Sequence, residues 1–195
     1  MTEETRKSVQ DLKAQLRLFM NGVLAQSLRE RGLKYRLIFG VELPRLKEIA
    51  ARYEQDHDLA QALWKEDIRE CRILAACLQP ADSFLPELAD IWLADMHDTE
   101  IIDYTCLNLF RRLPYAKEKA FQWIASDAVL TQYAGYRLMS HLLRNSESFP
   151  LSPRDRDELI DQAEAAASST NPLVQQIARE IIENHLKISS ASKSD

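Results

Sequence analysis

The stretch HDLAQALWKEDIRECRILAACLQP, residues 57–80, decides the fold. Leu59, Leu63 and Trp64 recur at helical spacing and end a short segment at the tryptophan. After a polar turn, Ile68, Cys71, Leu74, Ala75 and Leu78 form one apolar stripe, which Pro80 terminates. The arrangement recurs: Trp92 and Trp123 also close short helical segments followed by longer amphipathic ones, at spacings of 28 and 31 residues. Neither helix of such a pair buries its stripe alone, so neighbouring pairs must stack, which curves the array and creates a concave surface. The reading is an all-α protein, a HEAT-like α-solenoid of stacked antiparallel helix pairs. The competing arrangement is an irregular helical bundle with tryptophans placed by chance.

Towards the C-terminus, Asp98 reads as the N-cap of a helix that buries Ile102, Cys106, Leu109, Phe110 and Leu113 and is closed by Pro114. Tyr115 to Trp123 gives a short helix, and Leu130, Ala134, Leu138 and Leu142 mark a strong one after Ser126-Asp127. Ser152-Pro153 and Asn171-Pro172 each place a cap residue before a first-turn proline. Towards the N-terminus, Val9, Leu12, Leu16, Phe19, Met20 and Val23 predict one long helix fading near Gly32. An irregular stretch through Phe39-Gly40-Val41 follows, then a helix opened by Pro44 and reaching about Tyr53, with Asp58 as the cap of the next. No segment alternates with period two between hairpin turns, so no sheet is expected. The domain reading is a single HEAT-like unit over 1–188 and a disordered tail over 189–195.

Composition agrees. Only four glycines and seven prolines punctuate 195 residues rich in helix formers, and this length buries a core without staples. The net charge of -5 lacks the basic excess of a typical nucleic-acid binder, although segregation of charge onto separate faces leaves DNA binding open. Cys71, Cys77 and Cys106 are odd in number, have no paired spacing and fall in apolar helical patterns, so all three read as reduced core thiols. The charged start and the lack of a long apolar run point to a cytoplasmic chain with no membrane partner.

No complete catalytic or metal-binding motif is present. His57, His97, His141 and His185 lie far apart, no glycine-rich phosphate loop occurs, and neither metal nor other cofactor is expected. Asp90, Asp95, Asp98, Glu100 and Asp103 crowd one helix start. Capping and the helix dipole account for Asp98 and Glu100, whereas Asp103 lies beyond the first turn, beside the apolar Ile102 position, where a groove is within reach. Arg111, Arg112, Lys117, Lys119, Arg137, Arg144, Arg154 and Arg156 recur through the second half, either as a basic stripe on a groove or as scattered solvated cations.

One resemblance rests on particular residues. The run Phe39-Gly40-Val41-Glu42-Leu43-Pro44, the later Leu63-Trp64 and the Glu70-Cys71-Arg72 triplet resemble the AlkD-type DNA alkylation repair family, in which a glycine-valine turn introduces a helix and Leu-Trp precedes a helix bearing Glu-x-Arg. The resemblance implies HEAT-like repeats and a DNA glycosylase that excises cationic N3- or N7-alkylpurines from duplex DNA held in a concave basic groove. It implies Asp103 as the catalytic carboxylate, in Thr99-Glu100-Ile101-Ile102-Asp103, and Arg137, after Tyr136, as the phosphate-contacting residue. Arg111, Arg112, Arg144 and Arg154 are the further DNA-binding candidates. Thr99 stands where the family carries an aromatic, and no tryptophan follows Trp123. The alternative is a non-enzymatic scaffold that holds a protein or peptide on the concave face.

Overall fold

The computed structural model describes residues 2–144 and 151–191. Thr2 caps the first helix, α1 (Glu3–Leu18), by accepting the Thr5 N–H at 3.1 Å. The expected long first helix breaks here: Asn21 caps a separate α2 (Gly22–Glu30), accepting from Val23 and Leu24 at 3.1 Å each. The reason is burial. Leu12 and Leu16 are fully covered, but Phe19, Met20 and Val23, which continue the same stripe, are exposed and gain nothing from helical continuity. The Asn21 N–H instead donates to the Phe39 carbonyl, and Gly40, at φ +73°, packs against the break, where any Cβ would lie 2.2 Å from the Asn21 oxygen.

From there the helices alternate. They are α3 (Leu43–Ala50), α4 (His57–Trp64), α5 (Arg69–Leu78), α6 (Pro86–Ala94) and α7 (Thr99–Asn108). A single 3-10 turn, Phe110–Arg112, leads to α8 (Ala116–Ile124), α9 (Val129–Arg144), α10 (Pro153–Ala166) and α11 (Pro172–Ala191). The cap of α4 is Asp56, which accepts from Leu59 at 2.6 Å; Asp58, expected there, falls in the first turn. Asp98, Ser152 and Asn171 cap as their sequences predict, Ser152 in a reciprocal capping box with Asp155. Of the tail expected from Ser189, the last helix takes the backbone through Ala191, and residues 192–195 lie outside the described residues.

The second helix of each pair packs on the next, so that α3, α5, α7, α9 and α11 form one layer while α4, α8 and α10 each pack against their own partners. Trp64 and Trp92 stack with centroids 3.9 Å apart and planes at 6°, Phe84 meets Trp92 edge-on, and Phe110 packs against Trp123. All three tryptophans are buried, which explains their spacing: each tryptophan closing a short helix packs within the aromatic seam between repeats. At Gly135 the close approach of α8 and α9 leaves no room for a side chain, since a Cβ would meet the Ile124 nitrogen at 2.5 Å and the Ala120 oxygen at 2.8 Å. Among the described residues no strand forms beyond an isolated bridge between Leu37 and Ile68. Cys71 and Cys106 are buried thiols, Cys71 pushed up to about 12 by burial, whereas Cys77 is partly exposed, contrary to expectation. No described helix is long and apolar enough to cross a membrane.

Candidate nucleic-acid interface

The Glu-x-Arg triplet of α5 organises one side of the candidate site. Glu70 is fully buried and accepts the backbone N–H groups of Phe39 (3.0 Å), Gly40 (3.0 Å) and Val41 (3.3 Å), so it satisfies the irregular turn that no helix or sheet serves. Arg69, 3 % exposed, donates to Glu70 at 3.0 Å and clamps Glu100 of α7 through two bonds of 2.6 and 2.9 Å. Arg72 sits over the Trp64 ring at 5.2 Å and pairs with Asp95 at 2.8 Å. These residues hold repeats together. The rest of the acidic cluster is equally engaged: Asp90 accepts from Lys119 and from the Trp123 indole, and Asp98 accepts from the Tyr35 hydroxyl.

Asp103, like Glu100, opens onto a hollow. With the end of α2 and the adjoining faces of α7 and α9, it lines a space of about 450 Å³ together with Arg31, Thr99, Glu100, Tyr104, Arg137 and His141. Its Oδ1 accepts from the Tyr133 hydroxyl at 2.7 Å and forms an ion pair with Arg137 Nε at 2.9 Å, while Arg137 donates to the same hydroxyl at 2.9 Å. Burial raises its pKa above the ordinary carboxylate value, and the Tyr133 hydrogen bond and Arg137 charge oppose the rise. Burial works against the charge of Arg137 too, but Tyr133, Asp103 and Glu180 outweigh it and keep the guanidinium ionised. On its far side Arg137 donates to both oxygens of Glu180 in α11, at 3.2 and 3.3 Å. His141, one turn along α9, is held down to about 4 by burial and by Arg137, Arg111 and Arg144.

Leu107 joins this hollow to a second of about 370 Å³, lined by Lys47, Tyr53, Cys77, Asn108, Arg111 and Arg112. Among the described residues neither Arg111 nor Arg112 has a carboxylate partner; Arg112 donates to the Gln79 carbonyl, and Arg111 Nε is buried without an acceptor. The structure thus brings Asp103, Arg137, Arg111 and Arg112 onto adjoining parts of one face, and Arg144 joins them through Glu180 at 3.4 Å. Arg154 stands apart, exposed in the first turn of α10. Lys117 and Lys119 line neither hollow and pair instead with Asp155 and Asp90. Across the two hollows and the adjoining one around Glu180, five cations (Arg31, Lys47, Arg111, Arg112, Arg137) meet three carboxylates (Glu100, Asp103, Glu180). Each of those carboxylates is already paired with an arginine, so a chain of net charge -5 presents one locally cationic face.

Sequence reading missed Tyr133, Tyr104, Lys47, Arg31 and Glu180. The i, i+4 spacing of Tyr133 and Arg137 was a usable signal; nothing local marked Glu180, which arrives from a different repeat. Tyr104 supplies an aromatic ring to the hollow where Thr99 does not.

Fold and face together define an all-α, HEAT-like repeat protein with a locally cationic face beside α7 and α9. The chain belongs to the DNA alkylation repair enzyme family, whose model matches residues 12–178. It is also similar to a solved structure described as representing "a new family of proteins related to the HEAT-like repeat DNA glycosylases with affinity for branched DNA structures". That similarity has a TM-score of 0.82 at 16 % identity and covers 90 % of this chain and 74 % of the other, a likeness of fold. No curated protein matches the chain.

Proposed function

We propose that this protein binds duplex and branched DNA by the sugar-phosphate backbone, along the face formed by α7 and α9, and that it excises cationic alkylpurines slowly. The observation that carries the binding is the pairing pattern. Lys47, Arg111 and Arg112 are free of carboxylates among the described residues, whereas each carboxylate nearby is held by an arginine, so a phosphate chain meets more attraction than repulsion. The family and the structural neighbour's affinity for branched DNA support the same ligand. Asp103 is the carboxylate placed to favour departure of a cationic base, by stabilising the positive charge that develops on the sugar. Arg137 bound to the same carboxylate opposes that effect, which makes excision slow.

Fluorescence anisotropy on duplex and four-way-junction DNA tests the reading. With about four phosphate contacts the affinity falls by roughly a hundredfold between 50 and 200 mM salt, from the slope of about −0.9 per contact. Arg111→Ala with Arg112→Ala reduces that slope by about two contacts. Absence of binding at 50 mM salt, or an unchanged slope, overturns DNA binding and leaves a peptide-binding scaffold. Release of 7-methylguanine or 3-methyladenine from methylated duplex measures excision, and Asp103→Asn lowers it at least tenfold, about 1.4 kcal/mol. Equal release by the two proteins removes Asp103 from the chemistry.

A further inference from the structure

Glu180 has no role in the binding just described, although it lies against Arg137 at the α9 end of the face. Its position is unusual. One carboxylate oxygen, Oε1, accepts from three donors of α9, namely Arg137 at 3.2 Å, Ser140 at 3.3 Å and Arg144 at 3.4 Å. The other, Oε2, accepts from Arg137 at 3.3 Å. The donors lie at i, i+3 and i+7, along one face of the helix, and Ser140 is only 1 % exposed. Two guanidiniums and a buried hydroxyl converging on one singly charged, two-oxygen acceptor make a complete anion site.

We infer that Glu180 is a built-in surrogate for phosphate: its carboxylate fills a phosphodiester subsite made by Arg137, Ser140 and Arg144, and DNA must displace it to engage that part of the face. A phosphodiester presents what the carboxylate presents, one negative charge shared by two equivalent oxygens, and it suits the same donors. The occupant is held loosely enough to leave. Glu180 is 31 % exposed at its side chain and Arg144 63 %, so solvent already screens the pair, and the carboxylate can turn outward into water. Asp103 stays on the opposite side of Arg137 throughout, so displacement of Glu180 leaves that guanidinium one partner and one open direction. The consequence is a self-limiting grip: the free protein masks two arginines, and only a ligand offering a phosphate at this point unmasks them.

This inference rests on the DNA-binding reading, and inorganic phosphate separates the two. Titrating phosphate into the protein while following the Arg137 and Arg144 guanidinium signals by NMR probes the subsite without DNA. The expected result is saturable binding by Glu180→Gln at least tenfold tighter than by the parent, with Arg144→Ala abolishing the gain. Glu180→Gln is expected to tighten duplex binding at 50 mM salt about tenfold, whereas Glu183→Gln, an exposed charge on the same helix, changes it less than twofold. Phosphate affinity unchanged in Glu180→Gln, or an equal gain from Glu183→Gln, overturns the surrogate role. Tight phosphate binding by Glu180→Gln with no DNA binding by either protein sustains the subsite and overturns the DNA-binding reading instead. Matching thermal melts of the variants exclude misfolding as the source of any loss.

Discussion

Replacing Glu70 by Gln tests the buried support of the site. The substitution keeps the volume and an oxygen, so no cavity forms. Oε1 of Glu70 serves Gly40, Val41 and Arg69, while Oε2 serves Phe39. An amide that keeps the first set must point its NH2 at the Phe39 N–H, leaving a buried donor unsatisfied at a cost of about 1–3 kcal/mol. The remaining bonds also lose their charge assistance, and Arg69 loses one of its two carboxylates. Removing one partner of a buried ion pair costs about 3–5 kcal/mol; because Glu100 still holds Arg69, the lower end applies, about 3 kcal/mol. For a chain of this size that lowers Tm by roughly 6–12 °C. Urea unfolding and thermal melts measure it, with Glu48→Gln, an exposed partner of Arg45, as a control expected to cost no more than about 0.5 kcal/mol. A loss below about 1 kcal/mol for Glu70→Gln would show that the turn does not depend on this carboxylate. DNA affinity per folded molecule should not change, because Glu70 does not reach the face.

Gly135→Ala drives a methyl into the backbone of α8 and is expected to cost about 3 kcal/mol by overpacking, read by urea unfolding; a loss under about 0.5 kcal/mol would refute the close approach. His141 gives a pH signature of stability. Its folded pKa, about 4, lies below its ordinary 6.5, so the unfolded chain binds the proton first and this residue's contribution is lost as pH falls from about 6.5 to 4. His141→Gln is therefore expected to lose less stability over that window than the parent, and identical profiles would refute it. Burial is the main reason His141 is held down, but DNA phosphates that neutralise Arg137, Arg111 and Arg144 relieve the share due to their repulsion, so binding takes up protons and tightens as pH falls from 7.5 to 5.5. Anisotropy at constant ionic strength checks this, and His141→Gln is expected to lose the dependence.

The sequence by itself determined the repeat. Stripes of period 3.6, tryptophans at 28 and 31 residues and cap residues before prolines are local signals, and local signals fix which segments are helices and which faces must be covered. It failed where burial decides against pattern: Phe19, Met20 and Val23 continue the stripe of α1, but no neighbour covers them, so Asn21 ends the helix and starts another. The family motif singled out Asp103 and Arg137 as candidates, and the basic run singled out Arg111 and Arg112. Their pairing was not legible. Tertiary structure decided that Glu180, 77 residues beyond Asp103, shares Arg137 with it, that Lys117 and Lys119 pair with Asp155 and Asp90, and that Lys47 and Arg31 join the face from the N-terminal helices. Electrostatic partnership depends on distance in space, and stacking repeats brings together charges that no spacing along the chain relates.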